Sequence, residues 1–220
     1  MGTKKPKIDT NELEKLAEAC EKAKEEYHKA FVASRTASYE LEKKYEAAKE
    51  ESLTDELTGL GNFRYFKDRL AEEFERSNRY ERPFSIVIGD LDNFKDYNTK
   101  HKYAGGNKAL EYVGNVLRKT VRRIDIPCRY GGEEFVIILP DTPRNGNPDV
   151  IRMVNRIRTS IGQQKNSELP ASITMSFGIA TYPGKNEIDP NAIISPEAMF
   201  NRADEALNYA KMMGKNAIGY

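Results

Sequence analysis

A chain of 220 residues is long enough for one sizeable domain with an extension and a real core. A net charge of +1, with 31% charged residues and no dominant basic block, argues against a surface built for a nucleic-acid polymer. No run of 18 apolar residues is present to span a membrane, and two distant cysteines, Cys20 and Cys128, read as reduced thiols of a cytoplasmic protein rather than a disulfide framework.

Residues 1–6 are too polar for a signal peptide and read as a start or a cut from a longer protein. Residues 10–52 lack Gly and Pro, are rich in Ala, Glu and Lys, and follow the capping residues Asp9, Thr10 and Asn11, which predicts a long helix. A heptad runs through it, with Leu13, Cys20, Tyr27, Ser34, Leu41 and Ala48 in one column. Leu16, Ala23, Ala30 and Ala37 form the other, which fails at Lys44 and Glu51. Such a seam of small residues is weaker than a Leu/Ile zipper. It fits a dimerising signalling stalk or a solvated single helix left by truncation.

Residues 54–62 read as a turn with capping residues ahead of a helix over 63–80, whose Phe63, Phe66, Leu70 and Phe74 recur at core spacing. Pro83 breaks toward a buried strand, Ile86-Val87-Ile88, that ends in Asp90 and Asp92. Two apart on a strand, these acids share a face, with Leu91 opposite. After Asn98 a helix is expected with Leu110, Val113, Leu117, Val121 and Ile124 on one face.

Residues 129–135 read RYGGEEF. The glycine pair Gly131-Gly132 can take the positive φ of a tight hairpin turn, which holds Glu133 and Glu134 at a rigid tip. Phe135 to Leu139 then form a buried strand stopped by Pro140. Alone, the string also fits a surface turn with two solvated acids. Beside the acid pair Asp90 and Asp92 it makes an oxygen-ligand set suited to Mg²⁺, which takes one or two carboxylates plus substrate phosphates.

Residues 141–148 form a polar loop, and Val150, Ile151, Val154, Ile157 and Ile161 mark another helix. Ile173, Met175, Phe177 and Ile179 alternate with Thr174, Ser176, Gly178 and Ala180, the period of a half-buried strand. A loop over 182–195 leads to a last helix opened by Pro196, where Lys211 and Lys215 stand at i, i+4. They are either solvated or within reach of nucleotide phosphates. The order helix, strand, helix, hairpin, helix, strand, helix gives an α+β domain, a mostly antiparallel sheet flanked by helices.

The two acidic strings together resemble the GGDEF family of diguanylate cyclases, in the form with Glu at the third motif position. The resemblance covers residues 53–220, leaving 1–52 as the stalk. Residues 54–62 are similar to the family's DxLTGLxN stretch, and 203–211 to its ADxALYxAK stretch, with Lys215 where Arg is usual. The resemblance implies the palm-like sheet shared with nucleotide cyclases, and condensation of two GTP into cyclic di-GMP and two pyrophosphates. It also implies one GTP per monomer and an active site completed across a homodimer. It implies Mg²⁺, or alternatively Mn²⁺, on Asp90, Glu133, Glu134 and the Leu91 carbonyl, with Glu133 accepting the hydroxyl proton and Asp92 outside the ligand set. Lys95, Lys211 and Lys215 would neutralise triphosphate charge, and Asn98, Tyr103 and Asn107 would contact the base.

Arg122 and Asp125 match RxxD five residues before the signature, the family's product-inhibition site. The same string also fits an ordinary helix-end ion pair. The chain departs from the family where GHxxGD is usual, carrying Lys102, Tyr103, Gly106 and Asn107. His101 lies two places before the family's histidine position and, like His28 in the stalk, takes no role. Two further readings therefore stay open. One is a synthase of mixed cyclic GMP-AMP that also accepts ATP, and the other a catalytically weak nucleotide-binding module.

Overall fold

The absence of Gly and Pro is realised in α1 (Thr10–Leu53), a single helix of 44 residues. The structure is a computed structural model that describes residues 10–142, 148–163, 169–184 and 195–220. The loops expected at 141–148 and 182–195 fall largely outside the described residues, as does the side chain of Ala48. Contacts divide the chain into two units, Met1–Ser52 and Leu53–Tyr220. In the first, Leu13, Leu16, Tyr27 and Leu41 are exposed along the heptad columns, and Tyr27 stacks on Phe31 with ring centroids 6.3 Å apart.

The second unit runs α2 (Phe63–Tyr80), β1 (Phe84–Leu91), α3 (Phe94–Thr120), β2 (Ile126–Gly131), β3 (Glu134–Leu139), α4 (Pro148–Gln163), β4 (Met175–Tyr182), α5 (Pro196–Met212) and β5 (Ile218–Gly219). The sheet order is β2-β3-β1-β4-β5; the first four strands pair antiparallel and β5 joins β4 in parallel. Alternate side chains of the central strands feed two cores. Val87, Ile137, Met175 and Phe177 pack with Val113 and Leu117 of α3 and Val154 and Ile157 of α4. Ile86, Ile88, Val136 and Ile138 pack with Phe66 and Leu70 of α2 and Met199 and Leu207 of α5.

Helix starts follow capping chemistry. Asn62 accepts from the Tyr65 N–H at 3.0 Å to open α2, and Ser195 Oγ accepts from the Ala198 N–H at 3.1 Å, with Pro196 next, to open α5.

Four expectations are corrected. β4 is buried on both faces rather than one, because α5 lies directly on it: a Cβ on Gly178 would come within 2.1 Å of the Ala203 carbonyl oxygen. Ile124 is exposed because α3 ends at Thr120 and Val121 is already extended, so the helical face stops short of it. Phe63, first residue of α2, is 43% exposed and meets the Tyr130 ring edge-on at 4.9 Å instead of entering the core. The turn uses positive φ only at Gly132 (+53°), while Gly131 belongs to β2 and pairs with Glu134.

α3 begins at once after β1 and breaks at Lys102, where φ is 59° and ψ 175°. This region of backbone space is nearly reserved for glycine, the residue usual in GHxxGD at that place, and costs a side-chain-bearing residue roughly 1–3 kcal/mol. Lys102→Gly should therefore stabilise the protein by about 1 kcal/mol after the added freedom of the unfolded chain is subtracted. Chemical denaturation would read this as a higher midpoint at unchanged slope. An unchanged or lower midpoint would show that Lys102 is not strained.

Candidate active site

The site sits where β1 and β3 end side by side. Antiparallel register places Asp90 opposite Glu134 on one side and Ser176 on the other. The Leu91 N–H donates to the Glu133 carbonyl at 3.4 Å, which ties the hairpin turn to the end of β1. Sheet register thus sets Asp90 and Glu134 side by side, and the turn brings Glu133 near enough for its charge to act on both. Among the described residues, no three His, Cys, Asp or Glu side chains already stand as a preformed metal cage. A site of two carboxylates completed by carbonyl and phosphate oxygens suits Mg²⁺ nonetheless.

Electrostatics favour a cation here. Burial raises the Asp90 pKa, Lys211 opposes the shift, and Glu133 and Asp92 add to it. Burial also raises the Glu134 pKa, with Asp90 next and Lys211 again opposing. The carboxyls are crowded enough to resist ionising together, and an added positive charge relieves that directly. Lys211 already supplies one, its Nζ 3.0 Å from Asp90 Oδ1.

Asp92 has a different job. β1 ends at Leu91, so strand alternation does not carry its side chain alongside Asp90. It is 8% exposed and accepts from Thr174 Oγ1 at 2.7 Å, Ser176 Oγ at 2.6 Å and the Asn216 N–H at 2.9 Å. With both oxygens engaged, it braces β1, β4 and the segment after α5 rather than facing a ligand.

The first turns of α3 and the segment after α5 supply the polar rim. Lys95 is exposed in the first turn of α3. Lys215 does not share a helix face with Lys211 as expected, because α5 ends at Met212 and Lys215 lies in the turn beyond, where its Nζ donates to Asn93 Oδ1 at 2.5 Å. Asn98 Oδ1 is buried with no hydrogen-bond partner. The break at Lys102 folds the second part of α3 back so that Gly106 packs on it; a Cβ there would lie 1.9 Å from that oxygen. Asn107 follows directly and is exposed, and Tyr103 is 84% exposed.

Arg122 and Asp125 are not part of this cluster. Arg122 Nη2 donates to the Pro140 carbonyl at 3.1 Å, at the far end of β3. That is about 17 Å along the strand from Glu134. The two residues pair with each other, Arg122 Nη2 to Asp125 Oδ1 at 2.7 Å, with the Asp125 side chain wholly buried and that of Arg122 half exposed.

Sequence reasoning missed a brace on the turn. Arg129 donates through Nε and Nη2 to the Gly132 carbonyl at 3.0 and 2.8 Å, and through Nη1 to Asp55 at 3.2 and 3.3 Å. Burial would raise the Asp55 pKa, but hydrogen bonds from Thr58 and the Arg129 charge outweigh it and hold the carboxyl below its ordinary value. The arginine opening RYGGEEF was the available signal.

The pattern of the family described as "Diguanylate cyclase, GGDEF domain" matches residues 52–217. The response regulator PleD of Caulobacter vibrioides is 35% identical over 171 residues, covering 76% of this chain and 36% of that protein. Diguanylate cyclase DgcP of Pseudomonas aeruginosa is 34% identical over 173 residues, covering 79% and 24%. The chain thus spans about a third or less of these relatives. Among solved structures, the coiled coil and GGDEF domain of DgcB from Caulobacter crescentus, in complex with c-di-GMP, superposes with a TM-score of 0.74 at 26% identity, covering 87% of this chain and 97% of that one. Diguanylate cyclase SiaD in complex with its activator SiaC, from Pseudomonas aeruginosa, gives 0.71 at 28% identity, covering 94% and 76%.

The raised Glu134 pKa has a consequence for stability. Its contribution is fully present below the unfolded-state pKa and is lost as pH rises through the folded value. In metal-free protein, Glu134→Gln should therefore stabilise at neutral pH, by a few tenths to about 1 kcal/mol because the group is half exposed, and have no effect near pH 4. Thermal melts in chelator at the two pH values check this. A lower melting temperature for the variant at neutral pH would contradict it.

Proposed function

The chain belongs to the GGDEF family of diguanylate cyclases, and from that premise we propose that it condenses two GTP into cyclic di-GMP with release of two pyrophosphates. The observation that carries this reading is the convergence of Asp90, Glu133 and Glu134 at adjoining strand ends, with Lys211 against Asp90. Asp90, Glu133, Glu134 and the Leu91 carbonyl would hold a divalent cation, Mg²⁺ or alternatively Mn²⁺. When bound, it would withdraw charge from the α-phosphate and from the attacking and leaving oxygens.

The protein's own groups do the rest. Glu133, at the turn and only partly buried, accepts the proton of the 3′-hydroxyl as the new P–O bond forms and the bond to pyrophosphate breaks. Lys95, Lys211 and Lys215 neutralise the triphosphate. Asn98, Tyr103 and Asn107 contact the base, Asn98 through the part of its amide not covered by Gly106.

One domain holds one GTP, so the second comes from a second copy of the chain in a homodimer. The exposed Leu13, Leu16, Tyr27 and Leu41 of α1 support pairing through the stalk. Arg122 and Asp125 are the proposed product-inhibition site, with the exposed face of the Arg122 guanidinium as its contact. The domain acts in the cytoplasm; among the described residues no helix is long and apolar enough to cross a membrane.

Asn107 favours a second reading of base choice. A carboxylate there accepts from both guanine N1–H and N2–H₂, whereas an amide turns a donor toward one of them. An unpaired group in a closed site costs roughly 1–3 kcal/mol. Adenine, with an acceptor at N1 and a donor at N6, suits an amide. ATP would then enter alongside GTP, giving some cyclic GMP-AMP.

Two assays test these readings. Incubated with GTP and Mg²⁺, the protein should yield cyclic di-GMP, and Asp90→Asn should lower turnover by on the order of a thousandfold with the fold intact. Comparable turnover in the folded variant would remove Asp90 from the metal site. With GTP and ATP together, the wild type should add a mixed product that Asn107→Asp suppresses. Equal rejection of ATP by both proteins would show that Asn107 does not set base choice.

A further inference from the structure

Beyond α5 the chain makes an unusual turn. Gly214, Lys215 and Asn216 carry φ values of 115°, 64° and 46°, three consecutive left-handed residues of which only one is glycine. Asn tolerates this conformation; Lys does so at a cost, so the surroundings must hold it. Two groups grip Asn216 from opposite sides. The Asp92 carboxylate, at the end of β1, accepts from its backbone N–H at 2.9 Å. Arg158, on α4, donates through Nη1 to its backbone carbonyl and to its Oδ1, both at 2.9 Å.

The guanidinium of Arg158 is itself oriented one turn back on α4, where Nε and Nη2 donate to Asn155 Oδ1 at 3.2 and 2.9 Å. The turn is thus clamped between the central strand and a helix on the sheet's other flank. The turn leads on into β5, just ahead of which the Ala217 carbonyl accepts from the Phe177 N–H at 2.9 Å, and it also places Lys215, whose ammonium reaches the first residue before α3 at Asn93.

We infer that Arg158 is a positioning residue for nucleotide binding: by fixing Asn216 it holds Lys215 in its strained conformation, aimed at the β- and γ-phosphates. Arg158 touches no substrate. This rests on the assignment of Lys215 to the triphosphate made above. The same clamp explains why a lysine can stand at a left-handed position on a loop. The lysine's own N–H bonds back to the Ala210 carbonyl at 3.3 Å, and the two charged groups on Asn216 hold the turn on its other side.

The test is binding rather than turnover. Affinity would be measured by calorimetry for α,β-methylene GTP, which cannot release pyrophosphate, and for GMP, in the wild type, Arg158→Ala, Lys215→Ala, the double variant and Arg158→Lys. Arg158→Ala should weaken the triphosphate analogue by about tenfold, the loss expected when one charge-assisted contact is misplaced. It should leave GMP unchanged and have no further effect in the Lys215→Ala background. Arg158→Lys should recover part of the loss.

Unchanged analogue affinity in Arg158→Ala overturns the inference. So does an equal loss for GMP, or an undiminished loss in the Lys215→Ala background, since each marks a general structural role. If Lys215→Ala binds the analogue as the wild type does, the triphosphate assignment is what fails and the inference falls with it. If the wild type binds neither ligand, the nucleotide reading of the whole site fails.

Discussion

The register between β1 and β3 is the constraint on which this molecule depends. Ile86 faces Ile138, Ile88 faces Val136 and, two residues on, Asp90 faces Glu134. The apolar pairs set the alignment, because a slip of one residue would turn every buried side chain of β1 to the opposite core. The acidic pair at the end is carried along by that alignment. Repulsion between two half-buried carboxylates is held in place by burial of the strands behind them, with Lys211 offsetting part of it. Functional charge is stored at the edge of a core that has the surplus to hold it.

Both faces of the sheet are covered, and the two cores have separate tasks. Packing of α5 on β4 is close enough to require Gly178, and this brings Lys211 across the sheet to Asp90. On the other face, α3 carries Asn98 and Asn107, and α4 carries Arg158, which reaches Asn216 beyond α5.

Much of this was legible in the sequence because it is local. The Ile86-Val87-Ile88 run, the GGEEF turn, the capping turn that ends at Asn62, the start of α5 at Pro196 and the long α1 all follow from neighbouring residues. What was not legible is what depends on contacts far apart in the chain. The two-faced burial of β4 needed α5 over Gly178, and β5 is a two-residue strand no periodicity could announce. Asp92 looked like a partner of Asp90, yet its ties run to Thr174, Ser176 and Asn216, over 80 residues away in sequence. The Lys102 break was hidden in a helical pattern, and only the family's glycine at that place hinted at it.

The brace at Arg129 links these local and distant features. Asp55 lies two residues past the end of α1, and its carboxylate is fixed by Thr58 before it meets Arg129. The same guanidinium holds the Gly132 carbonyl, inside the turn that carries Glu133. Gly132 is left-handed and has no side chain to pack, so the peptide leading to Glu133 needs a restraint on the Gly132 side, as the Leu91 N–H restrains the Glu133 carbonyl on the other. Arg129 supplies that restraint from outside. A general base must lie within hydrogen-bond reach of the proton it takes, and small displacements cost rate steeply. Because the restraint is anchored on Asp55, the peptide preceding Glu133 is tied on one side to the segment leaving α1 and on the other, through the Leu91 N–H, to the end of β1.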